Sequence, residues 1–573
     1  MLRRIMSKRA VIALLAVLVF SWFAVAVVFE SVHQPLVYDD AYNASVARNF
    51  SVGMGWVTDY HVPVPFNSTV TSGPTLLLPA AALMKVFGPQ LWIPGLINAC
   101  LMLSLLLIGG VTLRRLIDSD LQFLAIVVLC VVFLAIYDTR VWSEFVGDGV
   151  IPLAIAVAAA LIVGSLQSIE RYRCAAAAGA LLALAALSKL YALIAIMGLI
   201  FSCLALYIRG ISVQEIQVPA AIKSYGVAMV AAAAFIVPWK IYASLSLGAF
   251  SAAEILAREE FSASFFQRYG SGIDGLMGAD NIFVHMWSNA ERNFSRLVPS
   301  LQINEWWGSW FAFALLSLPF VVGLILLLRH SRRGISQLLL LLSGAAAAHW
   351  FWFIFISTGA PRYSRVAMVL SCILVALLLS LKYQKVLLPL ALATLVLLLP
   401  AAQKNQLVDL LFLNAPAAQS LKQQENFITA VSSLQGDTPV AGCDWAVSRV
   451  LDYAAPAASP LKDAVLLLRH ALREEGYSKE HGRGEVSTMA LKQEIKFAHP
   501  VNFRLAINMG EWAYHKKLGT CPIAAYIDSV CDRVVFSEGL YAIKECSVGS
   551  IPAATAAIVS DSPSIHLSGS AAE

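Results

Sequence analysis

The chain has 573 residues, 59% of them hydrophobic and only 13% charged, with a mean hydropathy of +0.72. Ordinary soluble domains carry roughly a quarter charged residues, so this composition excludes both a single soluble domain and a disordered chain. The net charge of +5 is unevenly placed: residues 403–573 hold 15 Lys/Arg against 18 Asp/Glu, leaving 26 against 18 for the first 402. That basic excess sits in short loops, which is the pattern of cytoplasmic anchoring rather than of nucleic-acid binding.

Arg3, Arg4, Lys8 and Arg9 precede an apolar stretch from Ala10 to Phe29. No small-residue cleavage site follows it, so the stretch reads as a retained first span with a cytoplasmic N-terminus. The polar segment Glu30 to Gly73 then lies outside. Thr75 to Phe87 is apolar but short, and suits a helix at the membrane interface or re-entering it. Further spans are expected at Leu91–Leu113, Leu121–Tyr137 and Val150–Leu166. Cys174 to Tyr207 is too long for one span and divides into two with Lys189 at their outer turn. Tyr225–Leu245 returns outward, with Pro238 kinking it. A second outer loop, mixed in polarity and rich in aromatics, occupies Gly248 to Trp307. Spans at Trp310–Leu328, Leu338–Ile356, Val366–Leu381 and Val386–Ala402 complete the count. The expectation is a mainly α, polytopic transmembrane bundle of about eleven spans. It covers residues 1–402, with outer loops at 30–90 and 246–308.

Residues 403–573 form a soluble domain by composition, expected to be α/β. Leu461–Glu475 and Pro500–Lys517 look helical, while Arg533–Phe536 and Leu540–Ile543 alternate like a hairpin around Glu538-Gly539. Cys443, Cys521, Cys531 and Cys546 all lie in this tail. With no Cys-x-x-Cys pair, they suit disulfides in an oxidising compartment better than zinc. Cys100, Cys130, Cys174, Cys203 and Cys372 lie in or beside apolar runs, as packing residues do.

Tyr38-Asp39-Asp40-Ala41-Tyr42 is the strongest local feature, about ten residues beyond the first span. Adjacent carboxylates at a membrane surface repel each other and cost desolvation. Capping a helix over Ala41–Phe50 is one reason to keep them. General-base chemistry is the other, one carboxylate taking a proton from a hydroxyl while its neighbour orients the site. Glu144 and Asp148 fall at the third-to-fourth span turn on the same side, where Asp148 also suits a helix cap. Trp56, Tyr60 and His61 occupy the first loop as sugar-lining or interface-anchoring residues.

Asp39-Asp40-Ala41-Tyr42, followed by Val46-Ala47-Arg48-Asn49-Phe50 and Gly53-Met54-Gly55, resembles the first outer loop of GT-C superfamily membrane glycosyltransferases. That group includes protein O-mannosyltransferases, aminoarabinose transferases and mycobacterial arabinofuranosyltransferases. The likeness continues through Thr71-Ser72-Gly73-Pro74-Thr75-Leu76-Leu77, Ser143 to Asp148, Leu187-Ser188-Lys189 and Pro361-Arg362-Tyr363. Asn43 departs from the family's apolar residue at that point.

The resemblance implies a sugar donor linked to a polyprenyl phosphate, used on the outer face. Asp39 and Asp40 are the catalytic candidates, with the choice of base open. Arg362 is the candidate for the leaving phosphate, because a guanidinium presents two oriented donors. Lys189 is the second candidate, or simply marks a turn. Glu144, Asp148, Tyr60 and His61 are candidates for the acceptor or a second acidic site. Loop carboxylates suit Mg²⁺ or Ca²⁺, yet their spacing defines no metal site. Expected partners are the polyprenyl-phosphate sugar, a glycan, lipid or protein acceptor, and the bilayer, with no nucleic acid. The expected location is the bacterial inner membrane with a periplasmic tail, although the endoplasmic reticulum has the same sidedness. A transporter or flippase of lipid-linked sugars is the alternative, and it would place ionisable residues inside the spans.

Overall fold

The computed structural model describes residues 8–380 and 416–547, apart from 37, 59–64, 69–71, 118, 138–143, 168–170, 213–217, 253–254, 257, 259–281, 301–304, 329–333, 358, 435–439, 443–444, 455–501, 510–530 and 532. It divides into two compact units, Met1–Ser420 and Leu421–Glu573.

The first unit is helical: α1 (Lys8–His33), α2 (Tyr38–Ser51), α3 (Pro74–Phe87), α4 (Trp92–Leu116), α5 (Asp120–Tyr137), α6 (Val150–Gln167), α7 (Arg171–Ser188), α8 (Ala192–Ser212), α9 (Val218–Leu247), α10 (Ile282–Ser300), α11 (Glu305–Leu328) and α12 (Gly334–Phe355). It is followed by α13 (Pro361–Ser380), which opens in a 3₁₀ turn over Pro361–Ser364. Helices therefore stand at each expected span as far as Leu381; Val386–Ala402 lies outside the described residues. Among the described residues, four helices are long and apolar enough to cross a membrane: Trp92–Leu116, Ile222–Leu247, Gly334–Phe355 and Pro361–Ser380. Shorter apolar helices accompany them, Val150–Leu166 and Ala192–Ile208 included.

Apolar helices in lipid gain little from burying one another, so they associate through close backbone packing at small residues. That packing is visible here. A Cβ on Gly198 of α8 would lie 2.2 Å from the carbonyl oxygen of Gly344 in α12, and one on Gly179 of α7 would lie 2.0 Å from that of Ala228 in α9. Both crossings require a residue without a side chain. Helix α6 packs on α4 and α7, and Ile151, Ile155, Ala158 and Val163 along it are fully buried.

Helix α10 has a different character. Its buried stripe, Asn289, Asn293 and Leu297, repeats every four residues and is mostly polar. The amides terminate α12: Asn293 Nδ2 donates to the carbonyls of Phe353, Ile354 and Ser357 at 2.9–3.0 Å, and Asn289 Nδ2 donates to that of Phe355 at 3.1 Å. Arg292 adds a bond to the Ser357 carbonyl at 3.3 Å. Carbonyls left open by the end of a helix are thus satisfied from a neighbouring helix. Gly359 follows at φ +73°, and a Cβ there would lie 1.9 Å from Asn293 Oδ1. This clamp fixes the turn that leads into α13.

The second unit holds α14 (Pro416–Ser433), β1 (Val440–Gly442), α15 (Trp445–Ala454), β2 (Asn502–Asn508), β3 (Arg533–Glu538) and β4 (Tyr541–Ser547). The sheet order is β1-β2-β4-β3, with β1 parallel to β2 and the other pairs antiparallel. Phe427 and Val431 of α14 and Val447 and Leu451 of α15 pack against Ala506, Tyr541 and Ile543 of the sheet. The hairpin turns at Gly539, φ +57°, where the sequence places it. The expected helix at Pro500–Lys517 is corrected: Asn502–Asn508 is the strand β2. Val501 to Leu505 alternates apolar and polar residues, a period of two that the apolar run Leu505-Ala506-Ile507 then obscures. Leu461–Glu475 lies outside the described residues. Cys531 is disulfide-bonded, whereas Cys100, Cys130, Cys174, Cys203 and Cys372 are free thiols.

Candidate active site

Four turns of the first unit bring charged residues together. Asp39 and Asp40 lie in the first turn of α2, where acidic residues complement the positive end of the helix. Glu144 and Asp148 flank the turn before α6, which Gly147 closes at φ +77° against Leu76 of α3. Lys189 and Tyr191 form the break between α7 and α8. Arg362 and Arg365 lie at the start of α13, beyond the clamped turn.

The connections are specific. Arg362 forms an ion pair with Asp39 across 323 residues of chain. Arg365 binds Glu144 and reaches Asp148 Oδ2 at 3.3 Å. Lys189 Nζ holds Asp148 Oδ1 at 2.6 Å, and the Tyr191 hydroxyl donates to the same oxygen. Asn43 Nδ2 donates to Ser72 Oγ at 3.1 Å and to the Phe145 carbonyl at 2.9 Å. The family-divergent residue thus ties α2 to the Glu144–Asp148 turn and to the loop before α3. Gly73 N–H, at the start of α3, bonds to the Ser188 carbonyl at 2.8 Å, drawing in the Lys189 break.

The two members of the acid pair have different surroundings. Asp40 is 4% exposed, and its Oδ1 is buried with no hydrogen-bond partner. Burial pushes its carboxyl well above the usual range, and the nearby charges of Glu144 and Asp39 push the same way; a Phe145 backbone hydrogen bond and Arg365 oppose them. Asp40 is therefore held towards its neutral form. Asp148 shows the reverse outcome. Burial would raise it, but Lys189 and Arg365 beside it hold it below the ordinary value. Burial, with Asp148 alongside, raises the Tyr191 hydroxyl, which remains a donor.

Aromatic rings surround this network. Tyr191 stacks on Trp352 with centroids 5.8 Å apart and meets Tyr363 edge-on at 5.9 Å. His349 Nε2 bonds to the Tyr363 carbonyl at 3.0 Å. Trp56 is buried, packing on Trp239 at 4.9 Å and Phe66 at 5.8 Å.

Of the residues singled out from sequence, Asp39, Asp40, Glu144, Asp148, Lys189 and Arg362 converge; Tyr60 and His61 lie outside the described residues. Arg365 and Tyr191 escaped the sequence reading. Arg365 is one helical turn after Arg362, and Tyr191 is two residues after Lys189, so each shares the locality of a residue already chosen. Among the described residues no three His, Cys, Asp or Glu side chains form a metal-ligand set. Asp39, Glu144 and Asp148 are instead engaged by guanidinium or ammonium groups, which is a poor donor set for Mg²⁺ or Ca²⁺.

This helical architecture is shared with known structures. ArnT from Cupriavidus metallidurans bound to undecaprenyl phosphate matches with a TM-score of 0.53 at 13% identity, over 92% of this chain and 97% of that one. The apo state of the same protein gives 0.52 at 14% identity, over the same shares of the two chains. The Archaeoglobus fulgidus oligosaccharyltransferase complexed with Zn and sulfate reaches 0.48 at 14% identity, over 92% and 72%, and adds no weight. No described protein family matches the sequence, and no curated protein does. The chain shares the fold of ArnT.

Proposed function

We propose that this protein is a membrane glycosyltransferase that moves a sugar from a polyprenyl-phosphate donor to an envelope glycan, lipid or protein. Transfer takes place on the extracytoplasmic face. One observation carries the reading: Asp39 of the α2 acid pair stands in direct contact with Arg362, so a base and a phosphate-binding cation share one site. The reading takes the bundle to cross the membrane about eleven times and the tail to be an extracytoplasmic α/β domain. The Cys531 disulfide supports that sidedness. The undecaprenyl phosphate bound to ArnT supports the donor class.

Asp39 is the base in this scheme, because Asp40 is buried and held towards neutrality. The acceptor hydroxyl gives its proton to the Asp39 carboxylate, and its oxygen attacks the anomeric carbon from the face opposite the phosphate. The bond from that carbon to the phosphate oxygen breaks, and its electron pair leaves on the phosphate. Arg362 neutralises the charge that develops there. The products are a glycoside of inverted configuration and polyprenyl phosphate. Glu144 and Asp148 hold the surrounding cations and turns in place.

Transfer from a polyprenyl-phosphate sugar, measured in membranes at matched expression, tests the scheme. Asp39→Asn lowers the rate about 10²–10⁴-fold, the range of general-base catalysis. Asp40→Asn retains most activity, since Asn resembles the neutral carboxyl. Full activity in both variants removes the catalytic role, and lipid movement without sugar transfer identifies a flippase. Arg362 supplies the charge compensation, so transfer continues in excess EDTA.

A further inference from the structure

We infer that the Asp39–Arg362 ion pair is a latch which the donor's phosphate must open: taking Arg362 for itself, the phosphate releases Asp39 to act as base. The inference rests on the function proposed above and adds an order of events to it.

The three cations of the site are unequally available. The Lys189 and Arg365 side chains are each 8% exposed, and both grip Asp148, whose side chain is wholly buried. Drawing either away strips a buried carboxylate of one of its two cations, a costly change. Arg362 is 29% exposed and its partner Asp39 is 18% exposed. A phosphate arriving from outside therefore finds Arg362 the readiest partner, and Asp39 the carboxylate most cheaply set free. Glu144 already places a negative charge beside this corner, so a phosphate and an ionised Asp39 compete for the guanidinium rather than share it.

The order follows from charge. While Asp39 is paired, its lone pairs are committed to a guanidinium and not to an acceptor hydroxyl. Donor binding frees it beside the acceptor hydroxyl. After transfer Asp39 carries the hydroxyl's proton, is neutral, and no longer competes for Arg362. Loss of that proton to solvent restores the carboxylate, which reclaims Arg362 and expels polyprenyl phosphate. The base is thus exposed only when there is a donor to react.

Binding of farnesyl phosphate to the full-length protein in nanodiscs tests the latch without turnover. Asp39→Asn and Asp39→Ser both bind about five-fold more tightly than wild type, the scale of a partly exposed ion pair; Asp39→Glu restores the wild-type affinity. Arg362→Gln loses at least about ten-fold. If the neutral variants bind no more tightly than wild type while Arg362→Gln is weakened, the latch is overturned and the phosphate site stands. Unchanged binding in Arg362→Gln overturns both. Thermal midpoints of the four variants identify any loss of affinity that comes from misfolding.

Discussion

Asp40 opposes stability in a way that depends on pH. Burial and the acidic neighbours raise its carboxyl in the folded state, so the folded protein keeps this proton when the unfolded chain has released it. Its penalty is absent below the unfolded value of 3.8 and grows as pH rises towards the folded value. Asp40→Asn removes the titration. Its thermal midpoint should exceed wild type by a margin that widens as pH is raised from about 4 to about 7. A constant margin across that range would mean that the carboxyl is not the cause. Sequence reading located the acid pair by its adjacency but left the base undecided. The distinction depends on burial, and on Glu144 and Phe145, residues about a hundred positions away. Lys189 and Arg362 were legible as isolated cations near turns; that one is committed to Asp148 and the other to Asp39 is a tertiary fact.

Among the elements, the α10 clamp carries the most consequence for the arginines. Asn293 serves three carbonyls at the end of α12. Asn293→Ala strands buried acceptors, and each of these costs about 1–3 kcal/mol. A lower thermal midpoint is therefore expected. Gly359→Ala is the sharper probe, since it forces a side chain into a positive-φ position and against Asn293. Shifting Arg362 by about 1 Å costs on the order of 100-fold in rate. The drop should appear in kcat more than in the stability of the rest of the bundle, as separate measurements of turnover and unfolding will show. Little of this clamp was visible in the sequence, where α10 lay inside a long loop of mixed polarity. A stripe of Asn289, Asn293 and Leu297 is not the apolar face by which helices are recognised. The break at Lys189 was legible, because no single span accommodates both the length of that run and a central ammonium.

At the scale of the whole molecule, composition and basic turns sufficed to place the apolar helices of the first unit, because hydrocarbon demands long internally bonded segments. The second unit was harder. There, strand β2 was mistaken for a helix, and its pairing with β1 and β4 joins residues 33 to 64 positions apart. The Cys531 disulfide makes sidedness testable in a chain whose Cys100, Cys130, Cys174, Cys203 and Cys372 are replaced by Ala. In intact cells, a membrane-impermeant maleimide should label Cys531 only after mild reduction. Labelling that requires inverted vesicles would place the tail in the cytosol and refute the proposed orientation.

The interleaving of Asp39, Asp40, Glu144 and Asp148 with cations supplied much later has a consequence for biosynthesis. A ribosome that stalls after Phe355 has already made all four acids, but of the three positive partners only Lys189. The unfinished product would carry mutually repelling anions in its packed turns until Arg362 and Arg365 emerge. Premature termination thus leaves turns that cannot settle into their packing rather than a stable, half-assembled bundle.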